Sequence, residues 1–205
     1  MRYLPSMDPE ETGAKESERP SGKDSVRLAL IDAATRLIAR RGVYGVTTRA
    51  IAQEARVNQG LITRYFGSKK VLVQQVARSI SERLFEEAVG SARPLDDLLY
   101  REEPGHKEAL RALMHIILVS GGGSVGDSHF SSRFFQWLRD EGSLDTEAGG
   151  SAEAWLFLIS SLVLGSELVA PGLQSDLQLT GERFKALRKE AFQLFQNGFR
   201  RGHGA

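Results

Sequence analysis

Thr47–Phe66 read TTRAIAQEARVNQGLITRYF, two short apolar helical patterns joined by a tight turn. Thr47 is a good N-cap for a first helix through Ala55 that buries Ile51, Ala52 and Ala55. Asn58 caps a second, Gln59–Phe66. Ala52 and Ala55 are small where two helices must approach closely. Val57 and Ile62 are apolar where the second helix must seat on the first. Gln59, Gly60, Leu61, Thr63 and Arg64 are then left pointing outward. A short helix that spends half its length outward adds little to a core, and its use is to read a surface. This is the anatomy of a helix-turn-helix, whose second helix enters the major groove of DNA by its N-terminal end.

The flanks extend the helical pattern. Upstream, from Asp24, Leu30, Ala33, Ala34, Leu37 and Ile38 keep the spacing of one helix face, and Gly42 stops that helix with Arg40 and Arg41 in its last turn. Downstream, Gly67 breaks the reader helix and Ser68 caps a long one, Lys69–Val89. Pro94–Tyr100, Pro104–Val119, Phe130–Glu141, Ser151–Val169 and Thr180–Arg201 all carry apolar spacing near that of a helix. The expected architecture is all-α, with about nine helices and no alternating strand pattern. The longest uncharged apolar stretch, Ala154–Ser166, has 13 residues, short of the roughly 18 a membrane span requires.

Charge divides the chain in three. The 205 residues carry a net +1, but residues 24–85 hold eleven basic against four acidic groups. Residues 86–205 hold twelve against seventeen. A compact basic module on an acidic body is suited to meet a polyanion at one end. Residues 1–23 are rich in Glu, Ser, Pro, Gly and Lys and read as a disordered arm. The expected division is therefore an arm (1–23), a DNA-binding domain (24–85) and an effector-binding and dimerisation domain (86–205). The absence of cysteine excludes disulfides and thiolate metal sites. The first residues lack the apolar core of a secretory leader, so a cytoplasmic protein is expected.

The run Thr47, Ile51, Ala52, Ala55, Val57, Asn58, Gly60, Leu61, Tyr65, Phe66, Ser68, Lys69 and Leu72 resembles the N-terminal signature of TetR-family transcriptional regulators. The resemblance covers about residues 24–85; beyond it only length and helical character are shared. It implies a non-enzymatic regulator whose partners are a double-stranded operator, a second copy of the chain and a small-molecule effector, with no cofactor. It also implies that Gln59, Gly60, Leu61, Thr63 and Arg64 face bases, and that Thr47, Arg49, Asn58, Tyr65 and Lys69 hold phosphates. The chemistry agrees. Arg64 suits guanine, Gln59 suits adenine, and Leu61 is placed to press a thymine methyl. Two positions depart from the family pattern. Arg56 stands where the turn usually has Gly, at a conformational cost, and Thr63 stands where an aromatic usually contacts DNA.

Ser151–Val169 and Thr180–Arg201 carry more apolar residues than one face can hide, which predicts a homodimer through a four-helix bundle. Met114, His115, Phe134, Trp137 and Trp155 are candidates to line an effector cavity, so that a small apolar ligand releases a repressor from a palindromic operator. Gly121–Gly126 matches both G-x-G-x-x-G and, in part, G-x-S-x-G, the marks of a nucleotide enzyme or a hydrolase. Both need a preceding strand, and Leu110, Leu113, Met114, Ile117 and Leu118 continue a helical spacing instead. The four histidines lack the partner spacing of a zinc site, and no metal is expected.

Overall fold

The structure is a computed structural model and describes residues 20–91, 101, 103–120 and 172–201, with single positions between 133 and 169. Every regular element among the described residues is helical. In chain order these are α1 (Lys23–Arg41), α2 (Thr48–Glu54), α3 (Gly60–Phe66), α4 (Lys69–Val89), α5 (Pro104–Val119) and α6 (Gly181–Arg201). Residues 1–19, 92–100 and 121–130 lie outside the described set, and with them most of the expected arm, the Pro94–Tyr100 helix and the glycine-rich loop. Of the expected helices Phe130–Glu141 and Ser151–Val169, only scattered positions are described, and these are helical.

The helix ends follow from single residues. α1 stops at Gly42, whose φ of +68° is open to glycine at little cost and whose N–H bonds the Ile38 carbonyl at 2.8 Å. Thr47 Oγ1 accepts the Ala50 N–H at 3.1 Å and opens α2. Ser68 Oγ accepts the Val71 N–H at 3.2 Å and opens α4. Each such cap contributes about 1 kcal/mol. At α6, Thr180 Oγ1 accepts the Arg183 N–H at 3.3 Å, and the helix begins one residue later than expected, at Gly181.

One buried cluster joins the elements. α1 contributes Leu30, Ala33, Ala34, Leu37 and Ile38, the set its periodicity predicts. Ile51, Ala52 and Ala55 enter from α2 and its end, Ile62 and Phe66 from α3, and Leu72, Val76, Ile80 and Leu84 from α4. α5 adds Ala109, Leu110, Ala112, Leu113 and Ile116, and its packing on α1 is the most extensive between any two described helices. The charge boundary drawn near residue 85 therefore crosses an unbroken α4 and a shared core.

A polar knot reinforces this junction. Glu87, in the last turn of α4, pairs with Arg83 at 3.7 Å, with Arg101 at 3.6 Å and with His106 Nδ1 at 3.1 Å. Arg83 also donates to the Gly105 carbonyl at 3.2 Å. His106 is only 4% exposed, so its ring depends on such partners to offset desolvation. The end of α4 and the start of α5 are thus held together both by apolar packing and by a shared carboxylate.

Candidate nucleic-acid interface

The α2–α3 unit is built almost wholly from local hydrogen bonds. After α2, Ala55 N–H bonds Ile51, Arg56 N–H bonds Gln53 and Val57 N–H bonds Ala52, at 2.9–3.1 Å. This turn puts Arg56 at φ +56°. The strain expected from a non-glycine residue at that position is therefore present, at a cost on the order of 1 kcal/mol or more. Asn58 Oδ1 then accepts the Gly60 N–H at 2.8 Å. Gln59 already has helical dihedrals, but α3 proper begins at Gly60, one residue later than expected. The cap position is therefore Gln59, and the Asn58 side chain bonds into the helix start from one residue before it.

α3 has two faces. Ile62 and Phe66 are buried, while Gln59, Gly60, Thr63 and Arg64 are exposed. Leu61 and Tyr65 are half-buried against the core cluster, so Leu61 is less available than an outward position implies. Gln59 Nε2 donates to Thr48 Oγ1 at 3.0 Å, which ties the start of α3 to the start of α2. The Arg64 guanidinium lies 5.9 Å from the Tyr65 ring centroid, within range of a weak cation–π contact that orients it.

The other expected phosphate-binding groups surround this helix. Thr47 and Arg49 are exposed on one side, and Asn58 is exposed with its carbonyl oxygen already engaged. Lys69, the first residue of α4, is half-buried, and its Nζ donates to the Val43 carbonyl at 2.7 Å. The ammonium keeps two further donors beside the N-terminus of a 21-residue helix, where the dipole favours anions.

Ion pairing sorts the cations of the module. Arg36 pairs with Glu54 at 3.1 Å and Arg40 with Glu108 at 3.3 Å, both at the back of the unit against α2 and α5. Arg49, Arg64, Lys69 and Lys70 have no carboxylate partner among the described residues. Arg27 is a cation that sequence reasoning missed. Its guanidinium sits 5.3 Å from the Phe66 ring centroid, at the foot of α3. A basic residue 39 positions before Phe66 in the chain gives no sequence signal for that stacking.

The proposed effector residues are only partly brought together. Met114 is buried in α5, and Trp137 is half-buried against the core. His115 lies against the end of α1, 3.6 Å from where a side chain on Gly42 would begin. It sits at the seam between the basic module and α5. Phe134 and Trp155 lie outside the residues whose side chains are described. The segment that leads into the glycine-rich loop is helix α5, where a dinucleotide or hydrolase site needs a strand. Among the described residues no cluster of three or more His, Asp or Glu is arranged to hold a metal ion.

A short capped helix, a tight turn and a second helix with one buried and one polar face define a helix-turn-helix unit. Residues 30–76 match the family of bacterial regulatory proteins, tetR family. It is 40% identical over 65 residues to the HTH-type transcriptional repressor Rv3405c of Mycobacterium tuberculosis, covering 32% of this chain and 35% of that one. It is 39% identical over 94 residues to the HTH-type transcriptional regulator BetI of Agrobacterium fabrum, covering 46% and 42%. The chain thus spans 35% and 42% of the length of these relatives. A TetR-family regulator structure from Rhodococcus sp. superposes with a TM-score of 0.61 at 18% identity, covering 82% of this chain and 97% of that one. A transcriptional regulator structure from Pseudomonas aeruginosa PAO1 gives 0.55 at 20% identity, covering 88% and 95%. At such identities the likeness speaks for the fold.

Proposed function

We propose that the chain is a sequence-specific transcriptional repressor that binds a palindromic operator as a homodimer and leaves it when a small apolar ligand binds. The observation that carries the DNA-binding part is the sorting of α3. Its apolar face is anchored in the core, its outer face offers Gln59, Thr63 and Arg64, and Arg49, Lys69 and Lys70 have no carboxylate partner among the described residues. Cations left uncompensated around a readable polar face suit phosphates on either side of exposed base edges.

Dimerisation is supported by apolar surface that the single chain leaves in water. Leu194 of α6 is 67% exposed, and Leu173, Leu177 and Phe157 are also exposed. Release by a ligand is supported by the junction. α4 runs from the DNA-facing Lys69 to Glu87, and α5 packs on α1, so a ligand that moved α5 would move the reader helix with it. By reciprocity, operator DNA would weaken that ligand to the same degree. On this reading the protein acts in the cytoplasm, where a bacterial operator lies. Among the described residues no helix is long and apolar enough to cross a membrane.

Arg64→Ala tests the assignment of α3 as the reader. On a preferred duplex it is expected to cost about 1–3 kcal/mol of binding, with little change on random DNA. Equal losses on both, measured by fluorescence anisotropy, would show that Arg64 holds a phosphate and not a base.

A further inference from the structure

We propose that Tyr44 is an additional contact to the DNA backbone, its hydroxyl bonding the phosphate adjacent to the one held by Lys69. The inference rests on the DNA-binding reading above. It starts from a residue the fold does not use. Tyr44 is 85% exposed, while Val43 and Val46 on either side of it are buried. No hydrogen bond or ring contact engages it among the described residues.

The turn that carries Tyr44 is rigid. At its start, Gly42 holds φ +68°. At its end, a side chain on Gly45 would begin 2.4 Å from the Arg41 carbonyl oxygen, so the backbone is folded tightly onto the end of α1. From the side, Lys69 Nζ donates to the Val43 carbonyl at 2.7 Å. An exposed aromatic on a mobile loop loses backbone and side-chain entropy when it docks, whereas one on a pinned turn loses only its rotamer freedom.

The Lys69 bond also sets the distance. A phosphate held by the same ammonium lies within about 6 Å of the Val43 carbonyl, two hydrogen bonds end to end. Tyr44 is the next residue, and its exposed side chain starts from the same turn, close enough for its hydroxyl to meet a phosphate neighbouring the one on Lys69. Tyrosine suits this place, since its ring packs on the sugar while its hydroxyl donates to a phosphate oxygen. Because it is neutral and meets only backbone, it strengthens binding to every sequence and adds nothing to the counterions released.

The test measures wild type, Tyr44→Ala and Tyr44→Phe by anisotropy on a duplex selected by the wild-type protein and on a random duplex, over a salt series. Tyr44→Ala is expected to weaken both duplexes by about tenfold with an unchanged salt slope. Tyr44→Phe is expected to show most of that loss. Thermal melts of the variants should match wild type, because the side chain is exposed. Unchanged affinity of Tyr44→Ala, a loss confined to the selected duplex, or wild-type binding by Tyr44→Phe would each overturn the contact. Wild-type protein that bound no duplex would overturn the DNA-binding reading, and the contact with it.

Discussion

Leu30→Ala is expected to destabilise the protein by about 3–5 kcal/mol, the upper part of the range for truncating a leucine in a well-packed core. Leu30 is 0% exposed and belongs to the cluster shared by α1 to α5. Helices enclose it on several sides, so a cavity left there has little freedom to collapse. A loss of this size is a large fraction of the whole stability of a typical domain, about 5–15 kcal/mol. Because Ile62 and Phe66 of the reader helix sit in the same cluster, DNA affinity should fall together with stability. Leu28, 59% exposed on the same helix, is the control, and its replacement by Ala should cost less than about 0.5 kcal/mol. Urea denaturation of the two variants checks the contrast. A cost below about 1 kcal/mol for Leu30→Ala would mean that the cluster is not a closed core.

Lys69→Met is expected to weaken binding to every duplex by about ten- to a hundredfold, the worth of a hydrogen bond to a charged group. Methionine keeps the unbranched stem and removes the charge. On the proposed reading the ammonium bridges the Val43 carbonyl and a DNA phosphate, so two separable effects should follow. Loss of the Val43 bond should lower stability by about 1 kcal/mol. Loss of the phosphate contact should reduce the slope of log affinity against log salt by about 0.9. The measurement is a salt titration of binding for both proteins. An unchanged slope would remove Lys69 from the phosphate contacts and leave it as a pin for the α1–α2 turn.

Much of the local structure was legible in single residues. Thr47, Ser68 and Gly42 end or begin helices as their side chains or the lack of one dictate. Most buried positions of α1 and those of α2 follow from apolar spacing, while Val26 and Ile31 are buried beyond the expected set. The left-handed Arg56 was legible as a departure from the glycine that the resemblance leads one to expect. The start of α3 shifted by a residue because the Asn58 side chain bonds Gly60 two positions on, and Gln59 is helical before the first helical hydrogen bond forms.

What pairs with what was not legible. Periodicity shows that α5 has an apolar face but not that α1 covers it, because the partners are far apart in sequence. The same holds for Arg40 with Glu108 and for Lys69 with the Val43 carbonyl, at separations of 68 and 26 residues. His115 is a further case, because its place beside Gly42 at the end of α1 is a contact that no periodicity shows. Tyr44 is the converse case, an aromatic in a short turn whose exposure only the packed structure reveals.

Selection of duplexes from random DNA by the purified full chain, followed by sequencing of the bound pool, tests sequence-specific operator binding most directly. The predicted result is strong enrichment of a two-fold symmetric sequence whose half-site centres lie about 34–36 Å apart, or a multiple of that spacing. A bound pool indistinguishable from the input, at salt near 0.15 M and with folded protein, would contradict the account.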